Sequence, residues 1–266
     1  MSIKRIIGAN PFKHGSIISN VNTLGSSQIV NAELTYDDVL VSGVIDSRMK
    51  LYRFYSGDET GLQSTATYTI AAGADDGKAR RNSSSDSNSS YNAGFSNSSA
   101  KEYIGVQDDE GNTDYFAGYF RFNNVVAEQG ATDQSAYFKF NKVGFSGNSA
   151  DYDFYVAAYD DDDKTAPSAA SHLNHSNYTT AEVAWHSNTD TRNGTIRSAS
   201  KGTVLSSPDI KTVIQEVLDR PGWSSGSSIV IAFYPKTSQA GGNNQMVRVE
   251  MYDDSGDVPA QLEITI

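Results

Sequence analysis

Apolar residues in this chain recur mostly at every second position, and that spacing constrains the fold more than any other feature. Successive side chains of a strand point to opposite faces, so alternation marks a strand with one buried face. The clearest runs are Val39/Val41, Phe116/Phe120/Phe122, Phe138/Phe140 and Tyr152/Phe154/Val156. Further ones are Tyr68/Ile70, Tyr103/Gly105, Val183/Trp185, Ile229/Ile231/Phe233, Val247/Val249/Met251 and Leu262/Ile264/Ile266. Turn-forming clusters separate them, among them Asp75-Asp76-Gly77, Asp109-Glu110-Gly111-Asn112, Gly241-Gly242-Asn243 and Asp253-Asp254-Ser255-Gly256. Many short strands without alternating helices predict an all-β protein, a β-sandwich.

One segment departs from period two. Ile210, Val213, Ile214 and Val217 share a single helical stripe, with Ser207 placed as N-cap, Pro208 at the first helical position and Asp209 in the first turn. Pro221-Gly222 ends it, so one short helix is expected from Pro208 to Leu218 as a packing element at the end of the sandwich. Another departure lies between Asn82 and Ser99, where thirteen of eighteen residues are Ser or Asn and only Tyr91 and Phe95 can anchor the chain. That composition by itself reads as disorder. The dense strand pattern begins near Thr65, which divides the 266 residues into an N-terminal arm with a hairpin region (1–65) and a sandwich domain (66–266). No internal repeat is evident.

Charge removes one class of partner. With 21 Lys and Arg against 32 Asp and Glu, the net charge is -11, and a chain this acidic has few cations to release counterions from a phosphate backbone. Nucleic-acid binding is not expected. The absence of cysteine excludes disulfides, thiolate metal sites and thiol nucleophiles. Near the N-terminus the apolar run stops at Ile6-Ile7, too short for a signal-peptide core. No stretch approaches the roughly 18 apolar residues of a membrane span. A soluble, unexported protein is the expectation.

Catalytic signatures are missing. The chain has no HExxH, GxSxG, Walker or GxGxxG pattern, and its histidines are His14, His172, His175 and His186. His172 and His175 form an HxxH pair in a polar stretch without a nearby third ligand, so a solvated loop is preferred to a metal site. The run Asp160 to Asp163 lacks the spaced ligands and central Gly of an EF-hand and reads as an acidic loop. Asn-x-Ser/Thr triplets such as those at Asn82, Asn88, Asn97, Asn177 and Asn193 follow from Ser/Asn richness and carry no signal here. Tyr115, Tyr119 and Tyr137 fall opposite the Phe stripes of their strands. Such rings could stack on sugars, bury at a subunit interface or lie under a loop.

A longer pattern appears at Val213-Ile214-Gln215-Glu216-Val217-Leu218-Asp219-Arg220-Pro221-Gly222-Trp223-Ser224-Ser225-Gly226 and the strand Ile229-Val230-Ile231 that follows. With Asp75-Asp76-Gly77, Tyr119-Phe120-Arg121-Phe122, Gly130-Ala131 leading into Ser135-Ala136-Tyr137-Phe138, and Thr179-Thr180 through Trp185, it resembles a family of carbohydrate-binding-module-like jelly-roll domains. These are akin to the DNRLRE type of bacterial surface and phage virion proteins. The resemblance covers Thr65 to Ile266 and implies a jelly-roll β-sandwich, with Asp75 and Asp76 as candidates for a structural calcium ion and no other cofactor.

Two functions follow as expectations. The first is a non-enzymatic structural protein of a phage virion, a capsid decoration on the particle surface. It would attach to the major capsid protein or another virion protein through its N-terminal region, where Ile6, Ile7, Pro11 and Phe12 are the candidate contacts. The alternative is an adhesin or tail appendage that binds a host polysaccharide through Tyr115, Tyr119 or Tyr137. A homo-oligomer is expected in either case, with a trimer favoured by the resemblance.

Overall fold

The computed structural model describes residues 64–82, 91–109, 112–147, 152–190, 192, 194–236, 244–254 and 258–266. The chain divides after Leu62, and all of these belong to the second unit, Gln63–Ile266. Ile6, Ile7, Pro11, Phe12 and the hairpin expected over Asp38 to Tyr55 lie outside the described residues.

Twelve strands form: β1 (Thr65–Thr69), β2 (Asp76–Asn82), β3 (Ala93–Ser96), β4 (Lys101–Asp109), β5 (Asn112–Phe122), β6 (Ser135–Gly147), β7 (Asp153–Ala158), β8 (Val183–His186), β9 (Val204–Ser206), β10 (Ile229–Pro235), β11 (Gln245–Glu250) and β12 (Gln261–Thr265). A single α-helix, α1 (Lys211–Leu218), is present among the described residues, with 3-10 turns at Gly73–Asp75, Ala170–Leu173 and His175–Asn177. The protein is all-β. No helix among the described residues is long and apolar enough to cross a membrane.

All strand pairs are antiparallel, and the order runs β1–β12–β6–β11–β4–β5–β10–β7–β8, with β2 between β5 and β3 and β9 beside β6. Two long strands change neighbours midway. β6 pairs β12 through Ser135–Lys139 and β11 through Lys142–Gly147, and β5 pairs β4 through Asn112–Phe116 and β10 through Gly118–Phe122. The sheet curls at these strands and closes on itself. Phe138 of β6 meets Phe120 of β5 with ring centroids 4.8 Å apart, and Phe140 meets Phe233 of β10 at 5.4 Å and Trp185 of β8 at 5.2 Å. None of these strands pairs with β6, so the rings join opposed parts of the sheet. They form the main core with Val247, Val249, Leu262 and Ile264.

A second core lies on the other side of β5, β7 and β10. Ala117 and Tyr119, Ala157, and Val230, Ala232 and Tyr234 pack under Tyr91, Leu173 and Tyr178. The cover is the segment between β7 and β8, folded back by 3-10 turns and pinned by backbone bonds from Tyr159 N–H to Val230 O (2.9 Å) and Thr179 N–H to Ala158 O (2.8 Å). Tyr178 donates its hydroxyl to Leu173 O at 2.6 Å, and Tyr91 N–H donates to Asn174 Oδ1 at 2.5 Å. Of the Ser/Asn-rich segment, Tyr91 is buried and the Phe95 ring stacks on Tyr119, the role of anchors read from the sequence; residues 83–90 lie outside the described set.

The helix begins three residues later than its sequence signals suggest. Ser207 N–H donates to Phe138 O, Phe138 N–H donates to the Ser207 hydroxyl, and Ile210 N–H donates to Ala136 O. Bonds to the edge of β6 thus hold Ser207 and Ile210, and the helix starts only beyond them. Asp209 still serves the helix start, accepting from Lys211 N–H at 3.0 Å while also accepting from Ala136 N–H. Ile210, Val213, Ile214 and Val217 are all buried, as the stripe requires, and Lys211 is exposed. Truncating Ile214 to Ala is expected to cost about 2–5 kcal/mol in urea denaturation, whereas Lys211→Ala should stay within about 0.5 kcal/mol. Equal losses at both positions would contradict the packing.

Candidate functional site

The early acidic turn is the best-connected polar site. Arg121, on β5, donates from Nη1 to Asp75 Oδ1 (3.0 Å), from Nη2 to the Ser228 hydroxyl (3.0 Å) and from Nε to Lys164 O (2.8 Å). Asn123 donates to the other Asp75 oxygen at 3.0 Å and accepts from the Ser228 hydroxyl at 3.1 Å. Both Asp75 oxygens are taken by a cation and an amide of the protein itself. That donor set does not fit a calcium ion through Asp75, because the Arg121 guanidinium already supplies the countercharge and would repel a metal. Among the described residues no three His, Asp or Glu side chains gather as a metal would require.

Asp76 has a different environment. It is buried, accepts Tyr252 N–H at 2.8 Å, and has its pKa pushed up to about 7. Burial is the main cause; Asp253, Asp75 and Glu102 add repulsion, and the bond from Tyr252 opposes them. Asp133, beside α1, is likewise raised to about 7, by burial first and then by Asp209.

The acidic run after β7 is not simply solvated. Arg220, just beyond α1, donates from Nε to Asp162 at 2.6 Å and pairs through Nη1 with Asp160. Asp161 pairs with Lys164 at 3.1 Å, and Asp163 accepts Ser228 N–H at 2.8 Å. An open depression of about 500 Å³ lies here, lined by Asp160, Thr212, Gln215, Glu216, Asp219 and Arg220. Its polar groups hold the structure together. Glu216 accepts the N–H groups of Thr180 and Ala181, each at 2.7 Å, and Gln215 bridges Asp133 N–H, Ala131 O and Asp219.

The three tyrosines read as surface candidates separate. Tyr115 and Tyr119 are buried, which corrects their reading as sugar-binding or interface rings and leaves the alternative in which other parts of the chain cover them. Tyr119 lies in the second core and donates to Ala74 O at 3.1 Å, and the buried Arg81 guanidinium lies 3.9 Å from the Tyr115 ring centroid. Tyr137 alone is partly exposed, with exposed Arg192 stacked 3.6 Å over its ring. A second Arg–Tyr stack, which the period-two reading missed, joins Arg248 to the exposed Tyr103 at 5.3 Å.

His172 and His175 enter different surroundings. His172 Nδ1 accepts Ser168 N–H at 3.2 Å, while the His175 ring sits against Tyr91, Tyr178 and Tyr234. Burial, and then the charge of Arg81, lower His175 to about 4. His14 lies outside the described residues.

The described unit is therefore an all-β module whose loops are tied down by ion pairs, with Arg–Tyr stacks on its surface. No protein-family model and no curated protein matches the chain.

Two outcomes follow from the polar geometry. Arg121→Met strands the Asp75 carboxylate in the interior and should cost about 3 kcal/mol, with much of the loss recovered when Asp75→Leu is added. Asp76 is raised when folded, so it contributes most below the unfolded value of about 4 and loses that contribution as pH rises to about 7. Asp76→Asn should therefore gain about 2 kcal/mol relative to wild type between pH 5 and pH 8, measured by denaturation at both pH values.

Proposed function

We propose that the chain is a non-enzymatic structural protein of a phage particle, a capsid decoration whose jelly-roll module faces outward. In this reading residues 1–62, with Ile6, Ile7, Pro11 and Phe12 as contacts, attach to the major capsid protein or another virion protein. The observation that carries it is the use of the polar side chains around the depression beside α1. Arg220, Gln215 and Glu216 bind the chain's own loops, which suits a rigid shell module better than a site that must present acid and base to a substrate. The alternating strands and the resemblance over Thr65 to Ile266 support the jelly roll, and the net charge of -11 suits a soluble particle surface.

A second reading has one observation in its favour. The Tyr137–Arg192 stack offers an aromatic ring and a cation side by side at the surface, a pairing that suits a sugar ring with its hydroxyls. In that reading the protein is an adhesin or tail appendage that binds a host polysaccharide.

Removing residues 1–62 should abolish attachment to particles while leaving the denaturation midpoint of Gln63–Ile266 unchanged. Unchanged occupancy of the truncated chain would move attachment to the sandwich. On a glycan panel the decoration reading expects neither binding nor cleavage. Binding lost on Tyr137→Ala would favour the adhesin, and cleavage would overturn both readings.

A further inference from the structure

The outer edge of β1 has no partner strand among the described residues and is built unlike the edges at β8 and β3. Ser64 and Ile266 exchange both backbone bonds (2.9 and 3.1 Å), and Ile70 N–H donates to Ala260 O at 3.2 Å. With Thr65 opposite Thr265 and Tyr68 opposite Leu262, the even residues turn their backbone groups toward β12. Thr65, Thr67 and Thr69 consequently turn theirs outward, where no described strand pairs with them, and their side chains are exposed.

Exposed edges are ordinarily blunted by charge, proline, a bulge or a cover. Two other edges here follow that rule. On β8 the outward N–H of His186 is taken by the Asp190 carboxylate at 2.6 Å. β3 is four residues long, has Gly94 at φ +56°, and its pairing with β2 shifts register between Lys78 and Arg80. β1, Thr-Ala-Thr-Tyr-Thr, has no charge, proline, glycine or bulge. Three of its five residues are threonine, which favours strands.

We infer that the edge of β1 is a self-association surface occupied by β1 of a second copy of this chain, paired antiparallel about a two-fold axis through Thr67. The segment reads nearly the same in both directions. Pairing Thr67 with its counterpart sets Thr65 against Thr69 and Ala66 against Tyr68. The outward groups of Thr65, Thr67 and Thr69 then meet as mutually hydrogen-bonded pairs, while a small side chain faces a large one on the other side. A two-fold interface requires this self-complementarity. Charge selects the same occupant. In a chain of net charge -11, this edge is a neutral strip, and on adjacent β12 Glu263 is matched by Lys139 at 2.6 Å. Two copies can approach here without like-charge repulsion.

This inference gives the homo-oligomer expected from the sequence as a pair in place of a trimer, and it is tested apart from any particle. A monomeric chain that still decorates particles would overturn the pairing and leave the decoration reading standing. Five residues make a small interface, so the pair is expected to form over roughly 1–100 µM.

Sedimentation of the full chain over that range should show monomer passing to dimer. Thr67→Pro removes an outward N–H that β12 does not use, and should weaken association at least about tenfold. Thr65→Lys with Thr69→Lys sets like charges opposite each other and should do the same, while Thr65→Lys with Thr69→Glu sets opposite charges together and should retain the dimer. Unchanged circular dichroism would verify that each variant is folded. A wild-type chain that stays monomeric or forms trimers would overturn the inference. So would a dimer indifferent to all three variants.

Discussion

Strand β10 has no solvent face, since every residue from Ile229 to Pro235 is buried. A strand covered on both sides needs two cores, and the rest of the described unit supplies them. On one side Ile229, Ile231 and Phe233 face the main core, where Phe138 and Phe140 of β6 close the curl of the sheet. On the other side Val230, Ala232 and Tyr234 require a lid, and the segment between β7 and β8 folds back to provide it. With apolar burial worth about 25 cal/mol per Å², a lid of tyrosine, leucine and alanine can offset the ordering of a long polar connection.

Ion pairs then fix the connections that the apolar layers leave loose. Arg121 links the turn before β2, strand β5, the loop after β7 and the start of β10 through the side chains of Asp75 and Ser228 and the Lys164 carbonyl, with Asn123 bridging those two side chains. Arg220 draws Asp160 and Asp162 against the end of α1. Both networks set an arginine among carboxylates of a strongly acidic chain, so local neutralisation and loop geometry come from the same bonds. Among the described residues no arginine pairs with Asp76 or Asp133, and burial shifts both toward the neutral acid, opposed at Asp133 by the charge of Lys211.

Legibility differed between fold and site. Alternation located the core strands because one buried face imposes period two, and the turn at Asp109 to Asn112 is the closing pair of the β4–β5 hairpin. The same logic failed at Tyr115 and Tyr119. Period two says which residues share a face, but whether that face meets water depends on residues distant in sequence, here Phe95 and the segment between β7 and β8 around Tyr119, and Arg81 against Tyr115. A signal of two-sided burial was present in the unbroken apolar run Ile229-Val230-Ile231-Ala232-Phe233-Tyr234, which reading only its odd members passes over. The loop at Asp160 to Asp163 shows the same limit, because its solvation depended on where Arg220 lay.

By itself the sequence determined the properties that are local along the chain. These are the all-β class, the single helical stripe of Ile210, Val213, Ile214 and Val217, the anchoring roles of Tyr91 and Phe95, and the exclusion of thiol chemistry. Each rests on spacing or composition, which steric and hydrophobic rules convert directly into local structure. Tertiary structure decided the rest: that the helix yields its first turn to the edge of β6, that Asp75 belongs to Arg121, and that two of three tyrosines are interior. It also left the uncharged edge of β1 without a neighbour among the described residues. Each of these outcomes depends on which distant groups compete for the same hydrogen bonds and the same buried surface, and a curled sheet settles that competition only when it closes.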